Sequence, residues 1–306
     1  MFRFLSGSSR REMKNPFLNF EREFADPDEA LFHIVPIPYA GSDPSCKGME
    51  FGAEAILAAS ARLPRVDSSS RRSLTRFGVY TQEPIPIEVN AREQTAAIEK
   101  AAIERELFRP RRFPIALGGS RSISGPLIRA AADSYGELSV LQFSARAALR
   151  DSYGEDGKDS HESVMARALE AASEVALVGT RSFSEEELER FPQMIDAAVT
   201  PEQIEDNFDR VVETILWKTG VNVYITFDMD AFDPSAAPGV GTPEPGGLTW
   251  RQAVRLLEAV VAGKSVVGFD VAGVKPLGGN NVVTEFTAAR LVCKIINAVS
   301  QKKGGF

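Results

Sequence analysis

The residues best suited to chemistry are aspartates that directly follow a short apolar run. Asp228, Asp230 and Asp233 come after the run Val223–Phe227, in the segment DMDAFDP. Because side chains alternate along an extended chain, Asp228 and Asp230 should lie on one side of it. Two such carboxylates can hold a hard cation or form an acid/base pair, although a strand-end turn with capping aspartates is the simpler alternative. The Gly- and Pro-rich continuation, which carries Glu244 to the same rim, favours a functional site.

Short apolar runs alternate with helical patterns along the chain. The runs are Leu31–Pro36, Phe113–Leu117, Leu138–Phe143, Glu174–Val178, Val223–Phe227 and Ser265–Phe269. Several are continuously apolar, as strands are when a parallel sheet buries both of its faces. Ser184, Thr200 and Thr249 each precede a Glu or Gln by three residues, which predicts capped helix starts between strands. The helices that begin at Thr200 and Thr249 should stop at Gly220 and Gly263. The alternation predicts an α/β domain with a mainly parallel sheet, whose ligands bind beyond the carboxyl ends of the strands.

Composition excludes several classes of protein. The 306 residues carry a net charge of −7, which argues against nucleic acid as the main partner. Cys46 and Cys293 are the only cysteines, so a disulfide framework is excluded and a cytoplasmic location is expected. Only two histidines occur, so a metal site built mainly from imidazole is excluded. No apolar run approaches the ~18 residues of a membrane helix. Residues 1–25 are predicted to form an N-terminal arm, and 26–306 one domain.

Several stretches, in order along the chain, resemble the motifs of the ureohydrolases, which include arginase, agmatinase and formimidoylglutamase. They are KGMEFGAEAIL, ALGGSRSIS, FSARAALRDSYGEDGKDSHESVM, VGTRSF, ITFDMDAFDPSAAPGVGTPEPGGLTW and FDVAGVKP. The segment TPEPGGLT makes the agmatinase branch the nearest. The resemblance implies a single three-layer α/β/α domain around a mainly parallel sheet of about eight strands. It also implies hydrolysis of a guanidino or amidino carbon by a hydroxide bridging two manganese ions, in trimers or hexamers.

Most of the family's manganese ligands are replaced in this sequence. Arg121 stands at the first histidine position, and Ser144, Arg146 and a following alanine stand at three further ligand positions. Of the six ligand positions, only Asp228 and Asp230 keep their side-chain type. The sequence therefore predicts loss of the binuclear site and no resident metal. The alternative is Mn or another single divalent cation.

Other family positions differ as well. His161 matches the histidine that faces the substrate, but Glu162 follows it where glycine is usual. Gly273 replaces the glutamate that grips the cationic substrate, and Lys275 lies two residues further on. Ser144 with His161 could form a nucleophile and base, although a capping or otherwise satisfied polar role is favoured. Cys46 lies near the family's pocket mouth and is interpreted as an incidental rather than a reactive thiol.

The replacements balance charge without a metal. We expect Arg121 and Arg146 to enter the metal cavity and pair with Asp228 and Asp230, because unpaired buried carboxylates are costly. The alternative is that both arginines point to solvent. Together with Lys275, the arginines are expected to favour a small anionic ligand, although Glu244 or Glu162 could offset the remaining positive charge.

Two functional hypotheses follow. The first is a pseudoenzyme that binds a small, anionic ligand or a catalytic paralogue, either as a homo-oligomer or as a hetero-oligomer. The alternative is a divergent, agmatinase-like C–N hydrolase of guanidino or amidino substrates. Its rebuilt or mononuclear metal site would use Asp228, Asp230 and a third carboxylate, such as Asp233 or Glu244. Neither hypothesis involves nucleic acid or a membrane.

Overall fold

A seven-stranded parallel sheet forms the centre of the molecule. The computed structural model describes residues 16–20 and 25–304. The strands are β1 (Phe32–Ile37), β2 (Val79–Thr81), β3 (Phe113–Gly118), β4 (Ser139–Phe143), β5 (Glu174–Val178), β6 (Asn222–Asp228) and β7 (Ser265–Ala272). Their order across the sheet is β2-β1-β3-β7-β6-β4-β5. The predicted α/β domain with a parallel sheet is confirmed, with seven strands in the described residues against about eight expected.

Helices cover both faces of the sheet. They are α1 (Gly52–Ser60), α2 (Ala91–Glu104), α3 (Ser124–Tyr135), α4 (Val164–Ala171), α5 (Glu185–Arg190), α6 (Pro192–Asp196), α7 (Pro201–Asp206), α8 (Phe208–Lys218), α9 (Trp250–Gly263) and α10 (Val283–Lys303). Helices α1, α8, α9 and α10 pack into one apolar cluster on one face, and α2, α3 and α4 pack into a second cluster. Neighbouring residues of β1 alternate between the two clusters, with Ile34 in the first and Val35 in the second. This alternation explains why the strands read as continuous apolar runs.

The capping boxes that the sequence predicts are present as hydrogen bonds in the structure. Ser184, Thr200 and Thr249 each complete a reciprocal capping box. One helix boundary differs from the prediction, which ran a single helix from Thr200 to Gly220. The chain breaks at Asn207, whose side chain accepts a hydrogen bond from the Arg210 amide and starts α8. An asparagine competes for backbone donors in this way, which favours a new helix start over continuation.

Part of the predicted N-terminal arm is described by the structure. Phe17, Leu18 and Phe20 are buried in the first apolar cluster, and the Phe17 amide donates to Thr81 Oγ1 at 2.9 Å. Residues 1–15 and 21–24 lie outside the described residues. Within the described chain, no helix is both long and apolar enough to cross a membrane.

Candidate functional site

A small cavity lies at the carboxyl ends of the central strands. Its volume is about 180 Å³, below the ~300–1,000 Å³ of pockets for drug-sized ligands, so it suits a small ligand. The lining residues used below are Asp43, Cys46, Arg121, Arg146, Arg150, Tyr153, His161, Glu162, Asp228 and Asp230. They come from the segments that follow β1, β3, β4 and β6. This is the edge of the sheet where the sequence predicts the chemistry.

Asp228 and Asp230 form a buried carboxylate pair at the end of β6. Asp228 is the last residue of the strand, and its Oδ1 accepts a hydrogen bond from the Asp230 amide at 2.9 Å. Asp230 Oδ1 accepts from the Ser144 hydroxyl and from the Ala145 amide, both at 2.9 Å. Burial, followed by the negative charge of Asp230, raises the pKa of Asp228 to about 7. The pair therefore shares negative charge that the surroundings only partly compensate.

Arg121 points into the cavity and is held on every side. Its Nε donates to the His161 carbonyl at 2.8 Å, Nη1 to Ser144 Oγ at 2.8 Å, and Nη2 to Glu162 Oε1 at 2.7 Å. Nη1 also lies 3.5 Å from Asp230 Oδ2 and 3.8 Å from Asp228 Oδ2. Burial alone would lower the pKa of Arg121, but these carboxylates, Glu162 first, outweigh it and raise the pKa. The guanidinium is therefore a fixed positive charge inside the cavity.

The turn that positions Arg121 depends on Gly119. A Cβ at this position would lie 2.4 Å from the Tyr39 carbonyl oxygen and 2.5 Å from that of Met49, so only glycine fits. The Ser120 side chain then caps a single 3₁₀ turn over Arg121–Ile123. The backbone of this turn thus positions the Arg121 side chain at the centre of the site.

The described residues do not fit the binuclear manganese centre that the resemblance implies. A guanidinium has no lone pair for a metal. Arg121 places its charge within 4 Å of both remaining family ligands, Asp228 and Asp230. The ligand positions at Ser144 and Arg146 carry a hydroxyl that donates to Asp230 and a second guanidinium. No reaction step is therefore assigned to such a metal pair.

The expected pairing of Arg146 with the aspartates is wrong. Its Nε donates to Thr242 Oγ1 at 3.2 Å and lies 3.9 Å from Glu162 Oε1. The Ser144 hydroxyl and the Ala145 amide already occupy the side of the chain that faces Asp230. The Arg146 side chain is therefore left at the partly exposed rim.

Glu162 supplies the main counter-charge to Arg121, a role that the sequence left open between Glu162 and Glu244. It is buried, and its carboxylate lies near Arg121, Arg146 and Arg150, the last at 3.8 Å. Burial would raise the pKa of Glu162, but these cations, with Arg121 first, hold it below its usual value. Its position directly after His161, where the family has glycine, is the signal that could have identified it.

His161 lines the cavity, whereas Lys275 and Glu244 do not. Burial and the neighbouring Arg121 lower the pKa of His161 to about 4, so its imidazole is neutral at pH 7. The Lys275 ammonium donates to the Ser45 carbonyl at 3.0 Å. Glu244 is partly buried, and its carbonyl accepts a hydrogen bond from Arg181. The expected convergence of Lys275 and Glu244 on the crevice is therefore wrong, because backbone contacts hold both outside it.

Asp233 also lies outside the cavity lining. Its carboxylate accepts hydrogen bonds from the Ser235 and Gly246 amides, both at 3.0 Å, and so stabilises the following loop. Neither Asp233 nor Glu244 is placed as the third carboxylate of a metal site with Asp228 and Asp230. The carboxylate nearest to Arg121 is that of Glu162, at 2.7 Å.

Comparison with known proteins places these features in context. The model of the Arginase family matches residues 30–297. An N(1)-aminopropylagmatine ureohydrolase of Thermus thermophilus is 34% identical, covering 94% of this chain and 96% of the relative. The enzyme of that name from Synechocystis is 30% identical over 94% and 98% of the two chains. The crystal structure of agmatine ureohydrolase of Thermoplasma volcanium superimposes with a TM-score of 0.82 at 26% identity, covering 95% and 96%.

These relatives contradict the hypothesis of a non-catalytic pseudoenzyme. Proteins 30–34% identical over nearly the whole chain are named as ureohydrolases, which points to an enzyme. The hypothesis equated the replacement of four ligand types with loss of the reaction, whereas Asp228 and Asp230 still line a cavity. The expected preference for an anion falls with this hypothesis, because the buried Glu162 adds a negative charge to the cavity.

Proposed function

The chain belongs to the arginase family, and we propose that it hydrolyses a C–N bond at the guanidino carbon of a small, agmatine-like amine. Its relatives are named for aminopropylagmatine and agmatine. The observation that carries the proposal is the buried pair Asp228 and Asp230, facing a small cavity at the carboxyl ends of the strands.

The charge of the cavity suits a cationic substrate. The lining contains four carboxylates and three guanidinium groups, from Asp43, Glu162, Asp228 and Asp230 and from Arg121, Arg146 and Arg150. Four negative charges against three positive ones leave one in excess when all are ionised. A guanidinium fits this arrangement because it pairs with a carboxylate through two parallel hydrogen bonds.

The reaction balances as the addition of one water molecule. A water oxygen bonds to the guanidinium carbon, the bond from this carbon to the substituted nitrogen breaks, and both water protons move to the leaving nitrogen, which departs as an ammonium. The products are urea and the amine. Asp230 is occupied by Ser144 and Ala145, whereas Asp228 has only the Asp230 amide on Oδ1 among the hydrogen bonds described above. Asp228 is therefore assigned as the carboxylate that accepts the proton of the water.

A substrate panel tests this function. Urea release is measured from agmatine, N(1)-aminopropylagmatine and arginine, with Mn²⁺, with Zn²⁺ and without added metal. We expect turnover of at least one agmatine-type amine, with loss of turnover in Asp228→Asn. The matched control is Asp209→Asn, which removes an exposed carboxylate on α8 and should keep the wild-type rate. Equal turnover in both variants, or none in the folded wild type, would refute the proposal.

Assembly and location complete the proposal. We infer a homo-oligomer, as the family resemblance implies, with a trimer or hexamer as the specific expectation, and a cytoplasmic location. Light scattering of the purified chain tests the assembly, and a monomer at micromolar concentration would contradict it.

A further inference from the structure

Three side chains with metal-binding atoms meet on one wall of the cavity. Asp43, Cys46 and His161 each offer one ligand atom, and the three atoms lie within 4.8 Å of one another. All three residues line the cavity that contains Asp228. The group combines a carboxylate, a thiol and an imidazole, which differs from the all-carboxylate set considered from the sequence.

The local fold explains why Asp43 and Cys46 face the same way. Asp43 caps a single 3₁₀ turn over Pro44–Cys46, and the proline at its first position fixes the backbone. A 3₁₀ turn has three residues per turn, so side chains three apart project from one side. Asp43 Oδ1 accepts hydrogen bonds from the Ser45 amide at 2.7 Å and hydroxyl at 2.5 Å. The Lys275 ammonium donates a hydrogen bond to the Ser45 carbonyl and so also fixes this turn.

His161 is held against this turn by independent contacts. Its carbonyl accepts from Arg121 Nε at 2.8 Å, and its ring meets the Tyr153 ring edge-on with centroids 5.7 Å apart. Its Nε2 lies 3.5 Å from Glu162 Oε1. A metal on Nδ1 would leave Nε2 facing this carboxylate, which is how protein metal sites commonly orient a histidine.

We propose that Asp43, Cys46 and His161 bind one divalent ion of the Zn²⁺ type, with a fourth position open to the cavity. Three protein ligands with one open position are the arrangement of catalytic zinc sites. Thiolate and imidazole favour Zn²⁺ over Mn²⁺, which prefers oxygen ligands. Zinc–ligand bonds of about 2.0–2.3 Å place tetrahedral ligands about 3.3–3.8 Å apart, so the group closes on a metal with shifts of about 1 Å.

The site also gives the proposed hydrolysis a source of activated water, and this consequence rests on the proposed function. Zinc lowers the pKa of a bound water from 15.7 to about 7. The three ligand residues and Asp228 line the same cavity. The single ion would thus act from the loop after β1 and from His161, beside the guanidinium of Arg121.

Metal binding is tested separately from activity. The full-length protein is stripped of metal with a chelator and titrated with Zn²⁺ and with Co²⁺, whose thiolate charge-transfer absorption reports a Co–S bond. We expect one equivalent of metal and the charge-transfer band in the wild type. Cys46→Ser should remove the band, and His161→Asn should weaken binding by at least the 10–100-fold seen when outer partners are lost. The matched control Cys293→Ala removes the other thiol, buried in α10, and should keep the band.

The outcomes separate this site from the proposed function. Absence of metal binding in the folded wild type, or a band that persists in Cys46→Ser, would overturn the site. Urea release that stays at the wild-type level in Cys46→Ser and His161→Asn would overturn the catalytic role of the metal, while leaving the hydrolase function intact. Suppose that the Co–S band is lost in Cys46→Ser and that His161→Asn binds metal more weakly, but that no guanidino substrate releases urea. This result would support the site and refute the function.

Discussion

Removal of the Glu162 charge should destabilise the protein through Arg121. The two side chains form an ion pair at 2.7 Å, and each is at most 9% exposed. Loss of one partner of a buried pair costs about 3–5 kcal/mol. Because Asp230 and Asp228 remain 3.5 and 3.8 Å from Arg121, we expect Glu162→Gln to cost about 3 kcal/mol, the lower end of that range.

This loss of unfolding free energy corresponds to a measurable fall in the melting temperature, Tm. Unfolding entropy of about 2.1 cal/mol/K per residue gives about 0.64 kcal/mol/K for 306 residues, so 3 kcal/mol lowers Tm by about 5 °C. The matched control is Glu104→Gln, which removes an exposed partner of Lys100 at 3.8 Å. Exposed helix pairs contribute only about 0.3–0.5 kcal/mol, so the control should lose less than about 1 °C. Equal Tm losses in the two variants, measured by calorimetry, would refute the pairing described for Arg121.

Three further predictions address the core, the glycine beside the site and the metal. Burial raises the pKa of Asp270 to about 6 in the folded protein, against about 3.9 in the unfolded chain. The protonated carboxyl therefore stabilises the fold fully below pH ~4, and this stabilisation is lost as the pH rises through 6. Between pH 4 and 7, urea denaturation should therefore show Asp270→Asn gaining about 2 kcal/mol relative to the wild type, and a constant difference would contradict this. A Cβ at Gly273 (φ +80°) would lie 2.1 Å from Asp228 Oδ1, whereas Gly278 (φ +77°) faces open space. Gly273→Ala should therefore lower Tm more than Gly278→Ala does, and equal losses would show that the close contact has no effect. Chelator treatment should abolish urea release and Zn²⁺ should restore it, whereas release that survives a verified metal-free state would exclude a metal requirement.

The fold was largely predictable because burial on both faces leaves a strong signal. Six of the seven strands read as apolar runs in the sequence. The strand Val79–Thr81 was missed because it has three residues, lies at the sheet edge and is only partly buried at Tyr80. The break at Asn207 was missed because two short helices in succession read as one helical pattern.

The candidate site was predictable only in part. The inward position of Arg121 follows from an arginine at a ligand position beside two aspartates of a strand end. The rim position of Arg146 and the pairing of Glu162 depend on side-chain directions in a loop, which spacing along the chain does not fix. The meeting of Cys46 with His161 joins loops that follow different strands, so the sequence treated each residue alone.

The most direct test of the central claim is hydrolysis in oxygen-18-labelled water. Agmatine and N(1)-aminopropylagmatine are incubated with the purified protein, and the urea produced is analysed by mass spectrometry. The account predicts urea that carries one labelled oxygen atom, in amounts that track the wild-type protein and are lost in Asp228→Asn. No urea from the folded, metal-supplemented wild type, or labelled urea that persists at the same level in Asp228→Asn, would contradict it.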